Sequence, residues 1–326
     1  MKNIGILGAG SWGTTLAILA AENGYNAMLW TREKEIIGSI NDKNENKQYL
    51  PGIKIHGNVK ANNSVEEVAS NADLIVNAIP VQFTRSMAKK YSKHIGCNHV
   101  VNVAKGIELG TYKRMSEVLK EELPKNISVA TLSGPNHAEE VSRKMPTATV
   151  IASEDAKSLS EIKKIFHTDY FRVFLHDDML GVEVCGALKN IAAIATGVCD
   201  GLGYGDNARA SIITLGLMEM STYGRFLGAK RSTFYGLAGV GDLVATCTSK
   251  HSRNRLVGEK IAKGTTIESL KKEMKGMVAE GIQTTKAVYE FSKKNKLQMP
   301  LTKQAYEVMF ENKDLKKAIS DLLKIE

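Results

Sequence analysis

Seven short runs of branched apolar side chains, at residues 4–7, 27–30, 74–79, 100–103, 129–132, 149–152 and 172–175, are separated by stretches with helical patterning. A chain that alternates strand and helix in this way folds into a parallel sheet, because each helix carries it back to the edge where the next strand starts. Several runs are apolar at successive rather than alternate positions, as in strands covered by helices on both faces, and such crossovers are right-handed. After Asp178 the strand pattern stops, and the rest reads as helices punctuated by glycines at 201, 203 and 205 and at 236, 239 and 241. The expectation is a doubly wound, mostly parallel α/β domain over residues 1–179 followed by an all-α domain over 180–326. At 326 residues, each part has enough chain to bury its own core. No internal repeat or low-complexity segment interrupts this plan, and the charge alternation around residues 271–275 reads as an exposed helix.

Composition narrows the class further. With 43% hydrophobic residues, 24% charged and 6 prolines, the chain lies far from the disordered profile. A formal charge of +9 suits anionic partners: nucleic acid, anionic lipid or phosphorylated metabolites. Residues 251–300 carry eleven basic and five acidic side chains, a pattern that also fits solvated helix faces. No basic stripe interleaved with aromatics and no helix-turn-helix pattern supports nucleic acid. The four cysteines are far apart and without histidines at ligand spacing, so free thiols are expected and a metal is not. The amino-terminal residues pass directly into a strand, without the apolar region of a signal peptide, which points to the cytoplasm. The apolar stretch at residues 184–199 contains Lys189 and Asn190 and, at sixteen residues, is too short to span a membrane.

Gly8, Gly10 and Gly13 form G-x-G-x-x-G between the first strand and the helix that follows. That context turns a weak pattern into a dinucleotide fingerprint of the Rossmann type. The first glycine makes the tight turn, the second lets backbone approach a diphosphate, and the third lets helix and strand pack closely, while the helix start offers free N–H groups. An acid at the end of the second strand usually takes the ribose 2′-hydroxyl. Here the chain reads Thr31-Arg32-Glu33. Arg32 could pair with a 2′-phosphate and admit NADP, while Glu33 could still serve the hydroxyl, so the cofactor is NAD or NADP, with NADPH somewhat favoured.

Other polar residues stand out against apolar surroundings. Lys189 is the one charge between residues 184 and 199. Desolvation disfavours an ammonium, so a lysine there is poised to exchange protons near neutrality; the alternatives are snorkelling to the surface or pairing with a carboxylate. Lys105 follows a strand directly, at the carboxyl edge where ligands of such sheets collect, or is a surface loop lysine. Gly134-Pro135-Asn136 sits between a strand and the HAEEV helix start, another place for free N–H groups or an ordinary turn. Asp242 lies among small and apolar residues, so either a cationic or hydroxyl partner or helix capping accounts for it. Ser252, Arg253 and Asn254 precede a helix and would suit a phosphate dianion, or are a capping serine beside exposed arginines.

Taken in order, GAGSWG, NVAKGIE, SGPNHAEE, GALKNIAAIATG, GLAGVGDL and HSRNR resemble the bacterial NAD(P)-dependent glycerol-3-phosphate dehydrogenases over nearly the whole chain. The combination of KGIE and SRNR separates them from hydroxyisobutyrate and 6-phosphogluconate dehydrogenases. The resemblance implies interconversion of dihydroxyacetone phosphate and sn-glycerol 3-phosphate, the entry to glycerophospholipid synthesis, in the cytoplasm and without metal. It implies that Lys189 is the proton donor and acceptor. Lys105, Gly134, Asn136, Lys189, Asp242, Ser252, Arg253 and Asn254 match substrate-contacting positions. Gly8, Gly10, Ser11, Trp12, Gly13, Arg32, Lys105, Ala138, Arg253, Val278 and Glu280 match dinucleotide-contacting ones. Apolar helices rich in glycine after residue 180 could form a homodimer face. A reductase for another small oxo-acid or sugar phosphate is the competing expectation.

Overall fold

The computed structural model describes residues 1–273, 278–322 and 324, and divides into two compact units. The first comprises Met1–Ala104 and Met115–Met179, the second Lys105–Arg114 and Leu180–Glu326. The short segment Lys105–Arg114 therefore packs with the helical unit, although it follows a strand of the first. Its ends are joined by a bridge between Ile107 and Arg114, and Arg114 pairs with the buried Glu183 at 2.7 Å.

In the first unit the strands are β1 (Asn3–Leu7), β2 (Asn26–Trp30), β3 (Glu45–Asn46), β4 (Leu50–Lys54), β5 (Val59–Asn62), β6 (Leu74–Asn77), β7 (His99–Asn102), β8 (Ser128–Ser133), β9 (Thr147–Ser153) and β10 (Phe171–His176). The helices are α1 (Ser11–Glu22), α2 (Lys34–Lys43), α3 (Val65–Ser70), α4 (Val81–Tyr91), α5 (Met115–Glu122), α6 (Ala138–Val141) and α7 (Ala156–Phe166). Each of the seven expected runs coincides with a strand, although β6 stops at Asn77 rather than at residue 79 and β7 at Asn102 rather than at 103. The eight-stranded sheet runs β10-β9-β8-β7-β6-β1-β2-β5. Leu74 and Val76 pack on one face with α1, α2 and α7, and Ile75 packs on the other with α3, α4 and α5. This doubly wound packing makes successive residues of β6 apolar.

Two features depart from the sequence expectation. β9 pairs antiparallel to β8, and β10 then follows parallel to β9. The only helix between β8 and β9 is the four-residue α6. At about 1.5 Å per residue it cannot carry the chain back along a strand of that length, so the chain turns and returns antiparallel. The edge strand β5 and the β3–β4 hairpin had no clear signal, since Val-Lys-Ala-Asn is short and carries an edge lysine.

The second unit holds α8 (Met179–Gly201), α9 (Asp206–Phe226), α10 (Asp242–Thr248), α11 (Arg253–Ala262), α12 (Ile267–Glu273), α13 (Glu280–Lys294), α14 (Pro300–Phe310) and α15 (Leu315–Leu322). Part of the expected exposed helix at 271–275 lies outside the described residues. α8 has 23 residues, so the apolar stretch is long enough to cross a membrane, contrary to the length argument above. Burial distinguishes it instead, because 94% of its most apolar window is covered by protein. The carboxylate of Glu219 on α9 caps α14, accepting from the N–H of Leu301 and from the N–H and hydroxyl of Thr302. Its burial pushes that carboxyl up to about 7 against the pull of these hydrogen bonds.

Candidate active site

The glycine turn of the first unit is built by contact as much as by conformation. Gly8 has φ of +118°, and a Cβ there would lie 2.6 Å from the Ala78 carbonyl oxygen. A Cβ on Gly13 would lie 2.0 Å from the Gly8 carbonyl oxygen, whereas one on Gly10 meets nothing within 4 Å. The first and third glycines thus close the turn, and the second leaves space above it. Gly10 caps α1 without a side chain, and no acid occupies the first turn of the helix. An anion finds uncapped N–H groups there. Buried Asn46 pins the loop by donating from Nδ2 to the Ala9 carbonyl and the Thr14 hydroxyl, each at 2.8 Å. Trp12 lies against Phe171, its buried Nε1 without a hydrogen-bond partner. These features fit a dinucleotide.

Past β2, Thr31 is buried and Arg32 is exposed. Glu33 is engaged, its carboxylate accepting from the Thr31 hydroxyl. Asn136 is buried and donates to the Thr149 hydroxyl at 3.1 Å, and that hydroxyl donates to the Ser133 carbonyl at 2.9 Å. The helix start expected after Gly134 is the single turn α6, too short for a helix dipole to gather an anion. The Ala138 carbonyl accepts from the Thr15 hydroxyl.

In the second unit, Lys189 lies midway along the buried helix α8 and is 5% exposed. The snorkelling alternative is therefore not what happens. Its Nζ donates to Asp242 Oδ1 at 2.5 Å and to the Thr246 hydroxyl at 2.8 Å. Thr246 stands one helical turn after Asp242 on α10, and its own hydroxyl donates to the Asp242 carbonyl at 2.6 Å. The second Asp242 oxygen accepts from Lys105 Nζ at 2.9 Å. Asp242 is 1% exposed, and a lone carboxylate so deep would be strongly unfavourable. Burial raises its pKa, but the charges of Lys105 and Lys189 outweigh this and hold it below the usual carboxylate range. Burial also pulls Lys189 down, to about 7, and nearby Lys105 reinforces this, while Asp242 opposes it. Two ammonium groups on one carboxylate leave the trio with a net positive charge, suited to a developing oxyanion.

Ser252 caps α11, its hydroxyl accepting from the Arg255 N–H at 3.2 Å. Arg253 on the first turn is exposed, and Asn254 is buried. α11 is held hard against α8: a Cβ on Gly197 would lie 1.9 Å from the Arg255 carbonyl oxygen, and one on Gly258 2.0 Å from that of Ile194. Arg255 also pairs with Asp200 at 2.6 Å. The close crossing fixes the Ser252–Asn254 turn relative to the helix that carries Lys189. Val278 and Glu280 are both half-buried, the latter as the first residue of α13.

Sequence reasoning missed Thr246, Asn46 and the role of Asn190, whose Nδ2 donates to the Lys105 carbonyl at 3.3 Å. Thr246 had a usable signal, a hydroxyl four residues after a buried acid in a helix. Asn46 had none, since its role comes from a hairpin invisible to periodicity.

A glycine-turn sheet unit and a helical unit with a buried, carboxylate-held lysine define a nicotinamide-dependent dehydrogenase. Residues 3–159 and 178–320 match the models of the amino- and carboxy-terminal parts of NAD-dependent glycerol-3-phosphate dehydrogenase. Among similar proteins, a glycerol-3-phosphate dehydrogenase [NAD(P)+] of Chlorobium limicola is 47% identical over 98% of this chain and 97% of its own. One from Clostridium tetani is 44% identical over 99% and 92%. The crystal structure of glycerol-3-phosphate dehydrogenase from Coxiella burnetii superposes with a TM-score of 0.94 at 35% identity, covering 99% of both chains. The chain belongs to the NAD-dependent glycerol-3-phosphate dehydrogenase family and is an NAD(P)-dependent oxidoreductase.

Proposed function

We propose that the chain reduces dihydroxyacetone phosphate to sn-glycerol 3-phosphate, reversibly, with Lys189 as the proton donor, and so supplies glycerophospholipid synthesis. The observation that carries this reading is the buried trio in which Asp242 accepts from both Lys189 and Lys105. Gly8, Gly10 and Gly13, with Ser11, Trp12 and Ala138, would hold a nicotinamide dinucleotide, which when bound would supply the hydride for reduction of the ketone carbon. Lys189 gives its proton to the ketone oxygen as that oxygen gains charge, and takes it back in the oxidative direction. Lys105 adds positive potential, and Asp242 with Thr246 holds the amine in place. Gly134, Asn136, Ser252, Arg253 and Asn254 complete the substrate contacts, with Arg253 on the phosphate. Val278 and Glu280 contribute to the dinucleotide. Because Glu33 is tied to Thr31 while Arg32 is exposed, a 2′-phosphate finds a guanidinium and NADPH is the favoured form.

The partners in this reading are the phosphorylated substrate, the dinucleotide and a second copy of the chain in a homodimer; nucleic acid and membrane insertion have no part in it. Four free, buried thiols suit the cytoplasm. Remote binding of the phosphate converts affinity into orientation at the ketone. Steady-state assays of Arg253→Ala are expected to show a Michaelis constant for dihydroxyacetone phosphate raised about 10- to 100-fold, the loss of a charge-assisted contact, and collapsed preference over dihydroxyacetone. Retained preference moves the phosphate site elsewhere.

A further inference from the structure

Three side- and main-chain amides in the second unit form a polarised line, of which the mechanism above uses only Asn254. The Gly281 N–H, at the second position of α13, donates to Asn254 Oδ1 at 3.0 Å. Asn254 Nδ2 donates to Asn190 Oδ1 at 2.8 Å. Asn190 Nδ2 then donates to the carbonyl oxygens of Lys105 and Gly186, each at 3.3 Å. A main-chain N–H can only donate and a main-chain carbonyl can only accept, so both asparagines are held in one orientation. Were Asn254 turned over, its NH2 group would oppose the Gly281 N–H and leave buried donors unmatched.

Gly281 has no room for a side chain. A Cβ there would lie 2.7 Å from Asn254 Oδ1, 2.8 Å from Ile194 Cδ1 and 2.9 Å from the Asn190 carbonyl oxygen. The Asn190 carbonyl is backbone of the packed helix α8 and cannot yield, so a larger residue pushes on the two side-chain ends, and the Asn254 amide is the nearer of them. Asn254 follows the exposed Arg253 on the first turn of α11.

We propose that Gly281 is a positioning residue for phosphate selectivity: its N–H locks Asn254 so that the amide hydrogen left on Nδ2, and never the amide oxygen, is offered beside Arg253. An anion with only acceptor atoms is welcomed by that arrangement, and a neutral hydroxymethyl group gains less from it. The inference rests on the reading of Arg253 and Asn254 as the phosphate anchor.

Gly281→Ala tests it, with dihydroxyacetone phosphate, dihydroxyacetone and inorganic phosphate as probes. The expected result is a rise of about tenfold in the Michaelis constant for the phosphorylated ketone and in the inhibition constant of inorganic phosphate, the size of one hydrogen bond to a charged group. Saturated turnover stays within about threefold, and the preference for the phosphorylated over the free ketone narrows by the same tenfold. Asn190→Ala, which frees the far side of the Asn254 amide, is expected to move these constants in the same direction and serves if the glycine variant does not fold. Unchanged phosphate inhibition in a folded variant overturns the proposal, as does an equal loss of NADH affinity, which marks general disruption. If wild-type enzyme prefers the phosphorylated ketone and Arg253→Ala abolishes that preference while Gly281→Ala does not, only the role of Gly281 falls. If the wild-type preference is itself absent, the phosphate anchor falls with it.

Discussion

Lys189→Ala is expected to lower turnover of dihydroxyacetone phosphate by about 10²- to 10⁴-fold, the range for removal of a general acid, while NADH binding followed by fluorescence stays near the wild-type value. The variant should remain folded, because Asp242 keeps Lys105 at 2.9 Å and is not left as an unpaired buried charge. Lys189→Met, which keeps most of the volume, should show the same kinetic loss and separates proton donation from packing. Near wild-type turnover in either variant removes Lys189 from the mechanism. A pH profile gives a second readout of the same group. Reduction needs the ammonium form, and burial has lowered its pKa to about 7, so the reduction rate should fall as pH rises through neutrality. Oxidation needs the free amine and should rise over the same range. A reduction rate independent of pH from about 6 to 9 contradicts the assignment.

The second large effect is expected at Asp242. Asp242→Asn leaves two lysine ammonium groups facing a neutral amide, and removing one partner from a buried ionic cluster costs about 3–5 kcal/mol. Thermal unfolding should show a lower Tm. Asp242 is also the group that opposes the lowering of the Lys189 pKa. Without it, the amine sheds its proton at lower pH, and the falling limb of the reduction profile should move to the acid side. At pH 7 turnover then drops by about 10²-fold, from the loss of both the ammonium form and its orientation. A profile that keeps its position while Tm falls would make Asp242 a purely structural residue.

How much of this was legible beforehand differs from residue to residue. The glycine turn was readable because Gly13 closes on Gly8 within one βα unit, although the crowding of Gly8 against the Ala78 carbonyl comes from a distant strand end. Lys189 could be singled out as a charge in an apolar helix, but its alternatives stayed open until Asp242 and Thr246, more than 50 positions away along the chain, were found on its amine. For Asp242 the alternatives were capping and pairing, and pairing is what occurs: Gly241 stands at the cap of α10 with no side-chain cap bond, and the Asp242 carboxylate holds two lysines. Asn254 was expected to face a phosphate, and most of its amide turns out to be engaged with Asn190 and Gly281.

Periodicity and spacing are local properties, and from them alone came the seven strands, the covered sheet, the helical second half and the set of polar residues worth following. Pairing direction, the return of β9 against β8, the affiliation of Lys105–Arg114 with the helical unit and the polarity of the amide line were decided by tertiary structure. Each of these depends on which distant groups share a desolvated space, where an unmatched donor or charge is too costly to persist, and no window along the chain contains both partners.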